Sequence, residues 1–443
     1  MKKTLGIIMA GGEGRRLKSL TSDIRAKPAV PFGGKYRIID FVLSNFFNSG
    51  IKQICVLTQH KSFSLVEHVE NVWARRLGSR SEFIRCLGPN PPSWYKGTAD
   101  CVYQNIMQIH MTNPDNVAVF GGDHIYKMNV EQMIDFHERK GADLTVCAIR
   151  FPIEKAGSFG VIQVDENFRM ISFEEKPANP KPIPGDPAHA LVSMGNYIFG
   201  KDVLIEALYH DAFLSESETS HDFGKNIIPR LCEKGNVFVY DFMGNTWSKE
   251  NIKASEIGYW RDVGTVDSYF ESNMDLIGVE PVFNLYDKSW PIYGIMTDNM
   301  PPAKFVFAGG ERSGQAVNSI VSDGCIISGG WVENSVMSPE VRVNSYSHIT
   351  NSILFDNVDI GRHCILDKVI VDKNVRIPAG TVLTPSRIWL PELPPIDYDI
   401  VDPIAYTEDH KKKLKIFRKL LETGHKTENG VSVVPRYYEH DYC

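Results

Sequence analysis

No stretch of this 443-residue chain approaches the roughly 20 consecutive apolar residues that a membrane-spanning helix needs, so no membrane span is expected. There is also no surplus of positive charge. Lys and Arg number 48 against 54 Asp and Glu, a formal net charge of −6, which gives no general attraction to nucleic acids or anionic membranes. Any phosphate ligand must therefore be held by local basic groups. The eight cysteines (Cys55, Cys86, Cys101, Cys147, Cys232, Cys325, Cys364 and Cys443) are scattered and form no Cys-x-x-Cys pair, as for free thiols in a reducing cytosol. The apolar run Leu5-Gly6-Ile7-Ile8-Met9-Ala10 is too short for a signal peptide, and glycines and arginines follow it at once. A cytoplasmic location is expected.

What is present is an ordinary globular composition, 43% hydrophobic and 23% charged, long enough for two or three domains. Residues 1–285 read as alternating strand and helix. Leu5–Met9, Ile54–Leu57, Val117–Phe120 and Leu144–Ile149 are compact apolar strands, whereas Arg37–Asn48 and Val130–Arg139 carry helical spacing. A βαβα order predicts a mostly parallel, Rossmann-like sheet covered by helices, with ligands outside the carboxyl ends of its strands. Gly11–Gly14 and Gly121–Asp123 both stand at such ends and are expected to face one crevice. Pro177–Pro187, with five prolines in eleven residues, reads as an exposed loop.

Around Trp290–Pro302 the rhythm stops, and residues 286–315 are assigned to a linker. In residues 316–443, Val341-Arg342-Val343-Asn344 recurs as Val358-Asp359-Ile360-Gly361 and as Val375-Arg376-Ile377-Pro378, each 17 residues on. β-Branched pairs at a period near three hexapeptides predict a short left-handed parallel β-helix of roughly three to four coils, whose ends need caps. The basic stretch around Leu414, Phe417 and Leu421 reads as a solvated amphipathic helix.

The chemistry begins at Gly11-Gly12-Glu13-Gly14-Arg15-Arg16-Leu17. Glycines let the backbone curl so that its N–H groups point at an anion. No Lys-Ser/Thr pair follows, and the glycine spacing misses the dinucleotide fingerprint. Arg16 and then Arg25-Ala26-Lys27-Pro28 supply cations downstream, and Pro28 favours an extended Lys27 free to reach a ligand. Asp123, after two glycines at a strand end, is well placed to hold a metal. His124 and His137 lack partners at ligand spacing and are expected in ordinary structural roles.

These stretches, together with Phe32-Gly33-Gly34-Lys35, Arg37–Asn45, Trp94–Asp100, Gly122–Lys127, Glu175-Lys176-Pro177, Ser193-Met194-Gly195, Ser220–Lys225, Tyr259–Thr265 and Pro301–Phe305, resemble the bacterial ADP-glucose pyrophosphorylase family in family order. The resemblance implies adenylyl transfer from ATP to glucose 1-phosphate, giving ADP-glucose and pyrophosphate for glycogen synthesis. It implies that Arg16 and Lys27 embrace the β- and γ-phosphates beside the amides of Gly11, Gly12 and Gly14, and that Asp123 and Asp262 hold Mg2+. Lys176 is expected on the phosphate of glucose 1-phosphate, with Glu175, Gly160, Ser193 and Gly195 around the glucose hydroxyls. Tyr95, Gly97 and Thr98 lie near adenine by the same resemblance. Arg25 and Arg37 are the effector-phosphate candidates, and Gln59 and Trp94 couple effector to active site. A homotetramer answering to a sugar phosphate or other glycolytic effector is expected.

The chain departs from the family in two places. The base-reading glutamine is missing from Leu87–Ser93, where Asn90 is the available substitute. Asp23-Ile24 and Pro31 replace the basic residue and the histidine that some members use for their activator. The competing readings are synthesis of a UDP- or dTDP-sugar, a non-catalytic regulatory subunit of the same fold, and acyl transfer by the β-helix through His348 or His363. The stretch Trp94–Asp100 speaks against the first. The presence of Arg16, Lys27, Asp123, Lys176 and Asp262 speaks against the second, and the third has no supporting sequence.

Overall fold

The computed structural model describes residues 2–21, 25–89, 94–247, 256–307, 309, 312–389, 417–418, 421–422 and 424–436. The chain forms two compact units, each discontinuous in sequence: Met1–Glu13, Ile39–Trp260 and Tyr286–Tyr293 in one, and Gly14–Ile38, Arg261–Leu285 and Gly294–Cys443 in the other.

The first unit is built on a nine-stranded mixed sheet. Its centre is parallel. β1 (Thr4–Met9), β2 (Gln53–Leu57), β3 (Phe83–Leu87) and β4 (Asn116–Gly121) lie in the order β3-β2-β1-β4. Leu5, Ile7 and Ile8 of β1 are all buried, because helices cover both faces of such a sheet and its strands become continuous apolar runs. The far side is built from β5 (Leu144–Pro152), β6 (Gly160–Val164), β7 (Met170–Glu175), β8 (His189–Gly200) and β9 (Val237–Asp241). β8 runs antiparallel to β4, β5 and β6, and β9 parallel to β5.

The helices follow local chemistry. α1 (Ile38–Asn48) buries Ile38, Ile39, Phe41, Val42 and Phe46. α2 is Thr98–Gln104. α3 (Val130–Lys140) starts where the Asn129 side chain accepts from Glu131 N–H and stops at Gly141, whose φ is +58°. α4 is Lys201–Ala212. Among the described residues no helix is long and apolar enough to cross a membrane.

In the second unit, residues 304–383 wind as a parallel β-helix with three ladders. Val343 pairs with Ile360 and Ile360 with Ile377, while Ile353 pairs with Ile370. These are the repeat positions read from the sequence. Corners recur at the same period with left-handed backbone: Asn334, Asn351 and Lys368 at one, Glu340, Asn357 and Asn374 at the next, and Tyr346, His363 and Gly380 at the third. Asparagine tolerates that region better than most residues. Pairing begins earlier than the sequence repeat, at Lys304–Val306 with Ile326–Ser328. There the register partner of Phe305 is Ile327, a spacing of 22 that hides the first coil.

The last coil is completed from the carboxyl end. Ser432–Val434 adds in parallel to Val369–Val371, and His425–Lys426 folds back on it. Phe417 is buried in the β-helix core and Leu421 packs against it. The apolar side of the segment read as a solvated helix therefore caps the coil, because the open end of a β-helix exposes apolar side chains that need a cover. Leu414 and its neighbouring lysines lie outside the described residues.

Residues 14–38 and 261–285, assigned by sequence to the amino-terminal domain, cluster with this unit. Gly33 N–H donates to Asn273 Oδ1 at 3.0 Å, the Tyr269 hydroxyl donates to the Pro31 carbonyl, and the Tyr269 ring packs edge-on against Phe32 and Phe355.

Candidate active site

In the first unit the register Met9 to Gly121 sends both glycine turns out at one edge of the sheet, the carboxyl edge of β1 and β4. Gly122 N–H donates to the Met9 carbonyl at 3.0 Å. A Cβ on Gly122 would come within 2.9 Å of Ile8 Cγ2, so only glycine permits this approach. Asp123 follows, half exposed, with His124 Nε2 3.5 Å from its carboxylate. The His124 ring rests edge-on against Trp260 at 5.1 Å. His137 is buried and shares a 2.9 Å hydrogen bond with Thr145 Oγ1.

At the start of the Tyr95–Thr98 segment, Gln59 Oε1 accepts from Tyr95 N–H at 2.9 Å. Gln59 Nε2 and His60 Nε2 are 2.9 Å apart, and His60 stacks on the exposed Trp94 ring at 4.8 Å. Gln59, Trp94 and Tyr95 are thus brought together, through a histidine that the motif reading did not single out. A β-carbon on Gly11 would lie 3.1 Å from Gln59 Cβ, which places the glycine turn against the same group. Burial pushes the Tyr95 hydroxyl up to about 12; it accepts from Asn105 Nδ2 at 2.9 Å. A Cβ on Gly97 would collide with the carbonyls of Ser220 and His221. Asn90 lies outside the described residues, as do Asp23 and Ile24.

On the other side of the unit, Glu175 ends β7. Its carboxylate lies against Gly160 and Gly224, where added β-carbons would sit 3.0 Å and 2.7 Å from Oε2. Burial raises its pKa, partly offset by Lys176. The Lys176 ammonium is 3.5 Å from Glu175 Oε1 and its side chain is 64% exposed, a solvent-facing cation beside a half-buried carboxylate. Lys176 itself takes φ of +50°. Ser193 Oγ accepts from Gly195 N–H at 3.2 Å, at a break in the β5–β8 register between Ser193 and Tyr197. Gly195, at φ +72°, faces the His124 ring, with an added Cβ at 3.8 Å.

The second unit holds a cationic cluster of its own. Lys27 Nζ is 2.8 Å from Asp262 Oδ1 and Arg16 Nη2 is 3.7 Å from Asp262 Oδ2. Gly14, at φ +65°, passes so close that a Cβ would be 2.9 Å from Lys27 Cβ, and one on Gly264 would be 2.9 Å from Arg16 Nη2. Three motif stretches separated in sequence, at Gly14–Arg16, Lys27 and Asp262–Gly264, therefore meet. Lys27 is not extended as Pro28 implied. Lys27–Ala29 forms a 3-10 turn, because proline fits the first positions of a helical turn, and the ammonium is 7% exposed.

Arg25 also has a different surrounding from the one expected of an effector ligand. Its Nη2 and Nη1 donate to the two Asp372 oxygens at 2.9 and 3.3 Å, and Nη1 reaches the Leu20 carbonyl at 3.4 Å. Arg37, in a short strand paired with Pro31–Phe32, lies near Lys373. Burial lowers the Lys373 pKa, the charges of Arg37 and Arg25 add to this, and Asp356 at 2.7 Å opposes it. Asp372 and Lys373 were missed by the motif reading; the only signal was their place at the turn after the Ile370-Val371 strand.

A sheet with a parallel centre and glycine turns at its carboxyl edge, a glycine-backed lysine–arginine pair and a following β-helix define a nucleotidyltransferase of the β-helix-bearing class. The sequence profile of the Nucleotidyl transferase family matches residues 5–278, and that of the GlmU-like, C-terminal hexapeptide family matches residues 301–385. The chain is 47% identical over 441 residues to a glucose-1-phosphate adenylyltransferase of Anaeromyxobacter sp. (strain Fw109-5), covering 98% of each chain. It is 49% identical to those of Methylobacillus flagellatus (86% of this chain, 88% of the relative) and Rhodopirellula baltica (86% and 84%). The chain belongs to the glucose-1-phosphate adenylyltransferase family of nucleotidyl transferases.

Proposed function

We propose that this chain transfers the adenylyl group of ATP to glucose 1-phosphate, releasing pyrophosphate and making ADP-glucose for glycogen synthesis in the cytoplasm. The observation that carries the reading is the meeting of Arg16 and Lys27 at Asp262, backed by two positions without β-carbons. The attacking phosphate oxygen is already ionised, so no Ser, Cys or His nucleophile is needed. The demand is to bring two polyanions together and to stabilise charge developing on pyrophosphate. Arg16 and Lys27 do this on the β- and γ-phosphates, with the amides of Gly11, Gly12 and Gly14. Lys176 swings from Glu175 to the phosphate of the sugar, and Glu175, Gly160, Ser193 and Gly195 receive the glucose hydroxyls. Tyr95, Gly97 and Thr98 receive adenine.

By the family resemblance, Asp123 and Asp262 are the residues that would hold Mg2+. Both offer carboxylate oxygens, the hard donors this ion prefers, and both retain solvent access for its waters. When bound, the ion neutralises phosphate charge. Arg25 and Arg37 are the effector-phosphate residues of a homotetramer, with Gln59 and Trp94 passing the signal to Tyr95. Since Asp372 now engages Arg25, an effector has to displace that carboxylate.

The test is pyrophosphate release from glucose 1-phosphate with ATP, UTP, dTTP, CTP and GTP at one Mg2+ concentration. The highest kcat/KM is expected with ATP, and UTP or dTTP is expected to be used measurably because the base-reading glutamine is absent. A better rate with UTP or dTTP replaces the adenylyl reading with the rival one.

A further inference from the structure

Between the Tyr95–Thr98 segment and the Glu175 carboxylate lies the stretch Thr219–Gly224, all within the first unit. The residue before α2 is Gly97, which has no side chain to cap the helix. The His221 carbonyl takes that place, accepting from Ala99 N–H at 2.8 Å and from Asp100 N–H at 3.4 Å. The Thr98 hydroxyl donates to Asp222 Oδ2 at 2.9 Å and accepts from Phe223 N–H at 2.9 Å. Asp222 Oδ1 accepts in turn from Gly224 N–H at 2.9 Å, and Gly224 is the residue against which the Glu175 carboxylate lies. The two substrate sides thus share one short piece of backbone.

That piece is held in an unfavourable shape. His221 takes φ of +53°, a region that costs a non-glycine residue energy unless its surroundings fix it. They do. His221 Nδ1–H donates to Asp211 Oδ2 at 2.8 Å, Thr219 Oγ1–H donates to Asp211 Oδ1 at 2.6 Å, and the Thr219 hydroxyl accepts from His221 N–H at 2.9 Å. All three residues are buried, so water does not substitute for these bonds.

We infer that His221, clasped by Asp211 and Thr219, is a positioning residue that ties the Tyr95–Thr98 segment to Glu175, so that filling one substrate side orders the other. This rests on the substrate assignment proposed above. A ligand that fixes the shared backbone spares the second ligand that ordering cost, which is positive coupling between the two sites.

The experiment is calorimetric titration of the full chain with glucose 1-phosphate, alone and with saturating Mg2+ and α,β-methylene-ATP, which does not react. Wild-type protein is expected to bind glucose 1-phosphate about tenfold more tightly with the analogue present. His221→Ala and the near-isosteric Thr219→Val should still bind both ligands but show less than about threefold coupling. His221→Asn, which tolerates left-handed backbone and offers an N–H to Asp211, should regain most of it; a merely structural histidine would not give that pattern. Should His221→Ala not fold, Thr219→Val and His221→Asn decide. Wild-type coupling retained in Thr219→Val, or no coupling in wild type, overturns the inference. A wild-type chain that binds neither ligand overturns the substrate assignment itself.

Discussion

Replacing Arg25 with methionine is the most informative single change, because Arg25 is given two partners, the buried Asp372 carboxylate and an effector phosphate that would displace it. In the structure its guanidinium and the Asp372 carboxylate are 4% and 1% exposed and bonded through both oxygens at 2.9 and 3.3 Å. Asp372 also accepts from Lys373 N–H at 2.7 Å, and its own N–H donates to the Val434 carbonyl at 2.9 Å. The pair thus joins the amino-terminal loop to the coil that the carboxyl-terminal strand completes. Methionine fills much of the arginine's volume but leaves the carboxylate buried with too few donors. Breaking one side of such a pair costs about 3–5 kcal/mol, which corresponds to roughly 10²-fold or more in the local opening constant. Hydrogen exchange at the amides of Val369–Val371 and Ser432–Val434 reads it directly. Arg25→Met should speed that exchange by about this factor, and Arg25→Met combined with Asp372→Leu should recover most of the loss, since removing both charges removes the uncompensated one. Exchange unchanged in Arg25→Met, with the effector response gone, would refute the structural role and leave the arginine purely a ligand.

Three further outcomes are expected. Asp123→Asn and Asp262→Asn should each lower kcat by about 10²-fold or more with the fold intact; near-normal turnover of either at saturating Mg2+ removes it from the metal site. Lys176→Ala should act mainly on KM for glucose 1-phosphate and Lys27→Ala mainly on kcat, and equal effects of both on one parameter would show the roles misassigned. Burial, helped by the charge of Lys2, lowers the His137 imidazole from 6.5 to about 4. The unfolded chain then takes up a proton below pH 6.5 that the folded one refuses until about pH 4, so stability is intact above 6.5 and falls on acidification, by up to about 3 kcal/mol at pH 4. Unfolding curves of His137→Gln should lack that share of the acid slope; an identical slope in both proteins places the titration elsewhere.

Much of the fold was legible because its periods are short. β1, β2, β4, α1 and α3 occur where apolar spacing placed them, since a strand buried on both faces must be continuously apolar and a core-facing helix must carry a stripe. The β-helix was legible because each coil repeats the same in-and-out pattern, so Val343, Ile360 and Ile377 had to stack. The strands β6, β7 and β8 were not read, because they lie among glycines and prolines and depend on pairing with one another.

The site divides in the same way. Sequence alone supplied its candidates: local spacing marked the glycine turns, Arg16, Lys27 and Asp123, residue types suited to phosphate and metal chemistry, whereas Glu175, Lys176 and Asp262 entered only through the family resemblance. Only the tertiary structure decided their company. It placed Lys27 in a turn at Asp262, 235 residues away, gave Arg25 to Asp372 across 347 residues, set His60 between Gln59 and Trp94, and moved residues 14–38 and 261–285 into the unit of the β-helix. The physical reason is that a buried charge must find an opposite charge wherever the fold brings one, and no periodicity along the chain records which distant residue that is.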